Sequence, residues 1–96
     1  MTYRFLSPAE RELAEAAEYY NRAVPGLGLE FLNEVERTIA RILRHPWAWT
    51  KITEHHRKCR TRRFPYALIY AIEGDVAFIA AVMHGHRHPD YWKSRG

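Results

Sequence analysis

Apolar and polar residues along the chain change period several times, and each change marks an element. "TYRF" (2–5) alternates as a short strand does. "SPAE" (7–10) then has the features of a helix start, with Ser7 as N-cap, Pro8 at the first helical position and Glu10 placed to close a capping box. The helix that follows stacks Leu13, Ala16, Ala17 and Tyr20 on one stripe and leaves Glu10, Glu12, Glu15 and Glu18 at its positive end or on its solvated side. "VPGLG" (24–28) interrupts the period. A second helix is predicted over 29–45, with Phe31, Leu32, Val35, Ile39, Ile42 and Leu43 at helical spacing and Pro46 as its stop. Its glutamates precede its arginines, the order the helix dipole favours, and Arg37, Arg41 and Arg44 form a stripe read as a solvated face.

The second half reads as strands. "WAWTKITEHH" (47–56) has no period and is read as a loop that Trp47 and Trp49 close over the helices. "RKCRTRRF" (57–64) sets Lys58, Arg60 and Arg62 against Cys59 and Thr61. "YALIYAI" (66–72) puts Tyr66, Leu68, Tyr70 and Ile72 on one face, "EGD" (73–75) turns, and "VAFIAAVMH" (76–84) is apolar enough for a central strand covered on both faces. One helical turn closes the chain after Pro89. The order β-α-α-β-β-β defines a single α+β domain over residues 1–96: a helical hairpin on one face of a small, mainly antiparallel sheet. The other sheet face stays partly open. Cys59 and Thr61 suit the covered side, so Lys58, Arg60 and Arg62 are expected on the open one.

Charge sharpens this picture. Residues 1–50 carry six Arg and seven Glu, a net of −1; residues 51–96 carry nine Lys or Arg against four acids, a net of +5, with five of the six histidines. A basic half of this kind fits a polyanionic or acidic partner. On a strand, Lys58, Arg60 and Arg62 would stand about 7 Å apart, close to the phosphate spacing of an extended nucleic-acid strand, and Arg63, Arg87, Lys93 and Arg95 could extend the patch. A cationic edge that blocks aggregation is the plainer alternative. The 47% apolar content is that of a folded protein, no apolar run reaches membrane-spanning length, and the first residues lack a signal-peptide layout, so a cytoplasmic location without membrane association is expected. A single cysteine, Cys59, agrees with a reducing compartment and is expected to be buried and inert.

The tail "AVMHGHRHPDYWKSRG" (81–96) concentrates the candidate chemistry. His84, His86 and His88 alternate and admit three readings: metal ligands, acid–base groups, or strand-end surface residues. No carboxylate or second cysteine completes a metal set, so no metal is expected. Trp92 is expected to close the core, and Tyr91 either locks the tail or stacks on a base. No glycine-rich phosphate loop is present, which argues against a nucleotide cofactor; no other cofactor is expected.

"AERELAEAAEYY", "LGLEFLNEVERTIARILRHPWAW", "RFPYALIYAI" and "AVMHGHRHPDYW" together resemble the RelE/ParE superfamily of toxins from type II toxin–antitoxin modules, over nearly the whole chain. The resemblance implies a growth-inhibiting toxin held by a cognate antitoxin with an acidic or amphipathic segment. Two activities divide the superfamily. ParE-like members inhibit DNA gyrase and have a plasmid-stabilisation role, with no catalytic set implied. RelE-like members are metal-independent mRNA interferases that drive a ribose 2′-OH against the adjacent phosphate, commonly on the ribosome. For that chemistry the resemblance implies Arg60, Arg62 and Arg87 on the phosphate, His84 or His86 as acid or base, and Tyr91 in place of a C-terminal tyrosine. Anion or partner binding would involve Lys58, Arg60, Arg62, Arg63, Arg87 and Lys93. Ala67 departs from the nuclease pattern, which has arginine directly after the tyrosine equivalent to Tyr66; "RFPY" and "HRHPDYW" also sit closer to ParE-like members. The expectation is therefore a gyrase-directed toxin without enzymatic activity, with an endoribonuclease and an inactive antitoxin-binding module as alternatives.

Overall fold

The computed structural model describes residues 1–95. Strand β1 (Thr2–Phe5) leads into helices α1 (Ser7–Ala23) and α2 (Leu27–Arg44), followed by strands β2 (Thr50–Lys51), β3 (His56–Arg60), β4 (Tyr66–Glu73) and β5 (Val76–His84) and a closing 3-10 turn, Lys93–Arg95. The strands form one sheet in the order β1-β5-β4-β3-β2. β1 runs parallel to β5 and the remaining neighbours are antiparallel. The helical hairpin covers one face, as the periodicity requires: Ala16 of α1, Phe31, Val35, Ile39 and Ile42 of α2, and Cys59, Leu68, Tyr70 and Val82 of the sheet form one buried cluster.

Several boundaries differ from the sequence reading. Ser7 is the first helical residue, and the N-cap is Leu6, which has no side-chain cap. The sheet sets this entry, because the Leu6 N–H extends the β1–β5 ladder to the Ile79 carbonyl while the Leu6 carbonyl accepts from Glu10 N. No capping box was needed. α2 starts two residues earlier than the period suggested, because Gly26 takes a left-handed φ of 91° and donates its N–H to Asn21 Oδ1. Gly28 then lies so close to α1 that a Cβ there would sit 2.4 Å from the Ala17 carbonyl oxygen. The segment read as a loop over 47–56 contains β2, paired through Thr50 with Lys58 and through Lys51 with Arg57. Trp47 does not close over the helices; it is 63% exposed, beneath the Arg57 guanidinium. Trp49 does pack against the core, and its Nε1 donates to the Arg41 carbonyl.

β3 ends at Arg60, four residues short of its predicted end. The chain instead turns at 61–65, with Phe64 at φ 70°, a costly conformation for a non-glycine residue. Two interactions over-determine the turn. The Phe64 ring packs edge-on against Tyr20 and Phe31, 4.8 and 5.2 Å between centroids. Glu34, buried on α2, accepts the Arg62 and Arg63 backbone N–H groups at 2.6 and 3.1 Å and the Arg37 guanidinium at 3.3 Å. Burial pushes the Glu34 carboxyl pKa up, but the backbone donors and Arg37 outweigh burial, leaving the group below its ordinary 4.5.

β5 carries a bulge. Ile69 pairs with Ala81 and Tyr70 with Ile79, so Ala80 is the extra residue. The inward phase changes there: Ala77 and Ile79 face the helices before the bulge, and Val82 does so after it. Ala80, Ala81 and Met83 instead join Ala67 and Ile69 on the other face, where buried Trp92 seals them. This is how a strand in the sheet interior comes to be covered on both sides.

Replacing Glu34 with Ala leaves two turn amides unpaired and should cost about 2–3 kcal/mol, measured by urea unfolding at neutral pH. Because the native pKa is depressed, the wild-type advantage is complete above 4.5 and falls away as pH drops through the native value. An advantage that stays constant down to acid pH would exclude the carboxylate as its source.

Candidate functional site

β3 places Lys58 opposite Ile69 and Arg60 opposite Ala67, both on the face away from the helices. The two cations line a cleft of about 320 Å³, with Ala67, Met83, Phe64 and Pro65 among its apolar walls and Arg87 on its far side. Arg87 arrives from the tail, its guanidinium 3.9 Å from the centre of the Tyr91 ring. Three cations over an apolar floor can hold an anionic group while burying the side chain that carries it.

The remaining predicted site residues are not in this cleft. Arg62 lies beyond the end of β3 and borders grooves on the α2 side with Arg37 and Arg41, because Glu34 draws its backbone toward the helix. The expected row of Lys58, Arg60 and Arg62 on one face is therefore broken after its second member. Arg63 pairs with Glu30 at 3.1 Å and lies over the Phe64 ring; Lys93 pairs with Asp90 at 3.0 Å. His84 pairs with Tyr66 and faces the helices, its ring edge-on to the tyrosine at 5.1 Å in a cleft that also holds Glu15 and Tyr19. His86 stacks on His84 at 5.2 Å and donates its backbone N–H to His84 Nδ1. His88 Nδ1 accepts from Asp90 N. Arg87 borders both clefts, but the sheet separates His84 from Lys58 and Arg60.

The sequence reading missed Glu12. It was placed at the positive end or solvated side of α1, yet its side chain is only 15% exposed and gathers the tail. Glu12 accepts from Val82 N at 3.0 Å, from the Tyr91 hydroxyl at 2.6 Å and from Arg95 through two nitrogens at 2.8 and 3.1 Å. Arg95 also donates to the Ala80 carbonyl. β1 ends at Phe5, so the β5 edge beyond Ile79 has no strand partner, and these side chains satisfy it instead. Burial, and then the hydroxyl's bond to the Glu12 carboxylate, push the Tyr91 phenol well above its ordinary value. Tyr91 is thereby a neutral donor and a platform for Arg87. Helical periodicity could not reveal this role, because the partners are 70 or more residues away.

The arrangement is a small α+β domain: a two-helix cover, a cationic cleft on the opposite sheet face and a tail clasped across that face. The model of the ParE toxin of the type II toxin–antitoxin system, parDE, matches residues 3–89, and the chain belongs to that family. It is the toxin of a type II toxin–antitoxin system, which implies an antitoxin partner. A solved structure titled "Chromosomal ParDE TA system from P. aeruginosa" superposes with a TM-score of 0.76 at 14% identity, covering 88% of this chain and 95% of that one, and so shares the fold. No curated protein matches the chain. Among the described residues, no helix is long and apolar enough to cross a membrane.

Replacing Glu12 with Ala strands the half-buried Arg95 and should lower stability by about 2–3 kcal/mol, read by thermal melting. Amide exchange at Val82, whose N–H donates to Glu12, and at Arg95, whose N–H donates to the Trp92 carbonyl, should accelerate with it. Unchanged protection at both amides would show that the tail is held by other contacts.

Proposed function

We infer that this toxin acts in the cytoplasm by blocking DNA gyrase, and that its antitoxin presses an acidic, amphipathic segment into the cleft lined by Lys58, Arg60 and Arg87. The observation that carries the antitoxin reading is the pairing of those cations with the apolar floor of Ala67 and Met83. A segment with alternating acidic and apolar side chains satisfies both at once, and apolar anchors supply most of the affinity in such contacts. The family description, ParE toxin, favours gyrase as the target. Two features weigh against mRNA cleavage. The resemblance to the nucleases places an arginine where this chain has Ala67, and His84 shares its cleft with Arg87 but lies across the sheet from Lys58 and Arg60. A 2′-OH attack needs base and clamp on one phosphodiester.

Inducing the chain without its antitoxin should halt growth with loss of plasmid supercoiling or DNA breakage, while transcripts stay intact. Early transcript cleavage that disappears in His84→Ala and Arg87→Ala would establish the endoribonuclease instead. Normal growth at high expression would leave only antitoxin binding. Substituting Lys58, Arg60 and Arg87 together by Ala should weaken antitoxin binding by roughly ten- to a hundredfold, measured by calorimetry. Unaltered affinity would remove the cleft from that interface.

A further inference from the structure

The arginine stripe of α2, read from the sequence as a solvated face, is not isolated in the fold. Arg37, Arg41 and Arg44 border a groove with Arg62, and Arg41 and Arg62 also border the adjoining groove that contains Lys58 and Arg60. The two grooves share those residues and form one band of six cations around the β3 end of the sheet. The one carboxylate lining it, Glu34, is occupied by the Arg62 and Arg63 amides and by Arg37. Arg41 is pre-positioned: its guanidinium donates to Thr38 Oγ1 and to the Arg60 carbonyl and lies 5.7 Å from the centre of the Trp49 ring. Among the described residues, the Arg44, Lys58, Arg60 and Arg62 side chains make no ion pair and no side-chain hydrogen bond. Like charges gathered this closely repel one another, and a polyanion relieves that repulsion.

We propose that this band is a docking surface for a nucleic-acid phosphate backbone. It meets the antitoxin cleft at Lys58 and Arg60, which border both, and extends away from it through Arg37, Arg41, Arg44 and Arg62. The groove on α2 has no apolar side chain larger than Ala40, and the adjoining one adds only Trp49, beneath Arg41, and the exposed Ile52. A protein segment that orders on binding needs buried apolar anchors to offset its lost entropy. A phosphate backbone needs none, since counterion release supplies its affinity. Five of the six cations are arginines, whose forks match phosphate oxygens and carry no base preference in this arrangement. The surface therefore binds without regard to sequence, and it does not depend on the gyrase reading.

The test is fluorescence anisotropy with the full chain, using a labelled duplex DNA of about 20 bp and a single-stranded RNA of the same length, titrated across salt concentration. Binding to at least one probe is expected, with log K falling about linearly against log [salt]. Arg44→Gln with Arg62→Gln should flatten that slope by about two and weaken binding about tenfold or more at roughly 50 mM salt. Arg4→Gln with Arg11→Gln, which removes the same charge from β1 and α1, should change it much less. Circular dichroism melting of both double variants checks that the fold is kept. Three results would each overturn the proposal: no binding to either probe at low salt, equal losses in the two double variants, or polyglutamate competing as well as nucleic acid does. The last would assign the band to an acidic protein segment.

Discussion

β5 is the longest strand of the sheet, and β1 is too short to cover all of it. Beyond Ile79 the outer edge of β5 has backbone groups that need partners, and Glu12 and Arg95 provide them: the carboxylate accepts from Val82 N and the guanidinium donates to the Ala80 carbonyl. The same two side chains are bonded to each other and, through Glu12, to the Tyr91 hydroxyl. One half-buried carboxylate thereby completes the sheet edge and fastens the end of the chain. Trp92 can then seal the apolar face formed by Ala67, Ile69 and Met83, its Nε1 donating to the Pro89 carbonyl. Without this clasp the face would be an exposed apolar surface in the middle of a small domain.

The placement of the cations follows from the same economy of backbone hydrogen bonds. Arg87 is set at the mouth of the cleft because Tyr91, anchored on Glu12, lies under its guanidinium. Arg62 leaves the Lys58–Arg60 row because Glu34 draws the backbone of the following turn to α2. Two glutamates on different helices thus send Arg87 and Arg62 to different surfaces, with Lys58 and Arg60 bordering both. One is a cleft floored by Ala67 and Met83, and the other is a band dominated by arginine side chains, with Trp49 beneath Arg41. The same residue types serve different partners according to what lies beneath them.

Most of the architecture was legible in the residues. The stripes Leu13–Ala16–Ala17–Tyr20 and Phe31–Val35–Ile39–Ile42 face the sheet, the alternation of Tyr66, Leu68, Tyr70 and Ile72 marks the covered face of β4, and the apolar run of β5 lies in the sheet interior. These features are visible because burial on a regular element repeats at the period of that element. The candidate site was only half legible. Lys58 and Arg60 keep the alternation of β3, but Arg62 lies past its end, and the alternating His84, His86 and His88 continue no strand because β5 stops at His84. The bulge at Ala80 also changes which face the end of β5 presents, and no periodicity encodes a single inserted residue.

The sequence by itself determined the elements, their order and the faces they bury, because these depend on neighbours within one or two turns or a few strand positions. Only the tertiary structure decided that Glu12 would bind a tail about 80 residues away, that Glu34 would end β3 early, and that α2's arginines would meet Arg60 and Arg62. Those outcomes rest on pairing backbone groups left over at strand edges and turns. Such leftovers exist only once the whole sheet has been assembled.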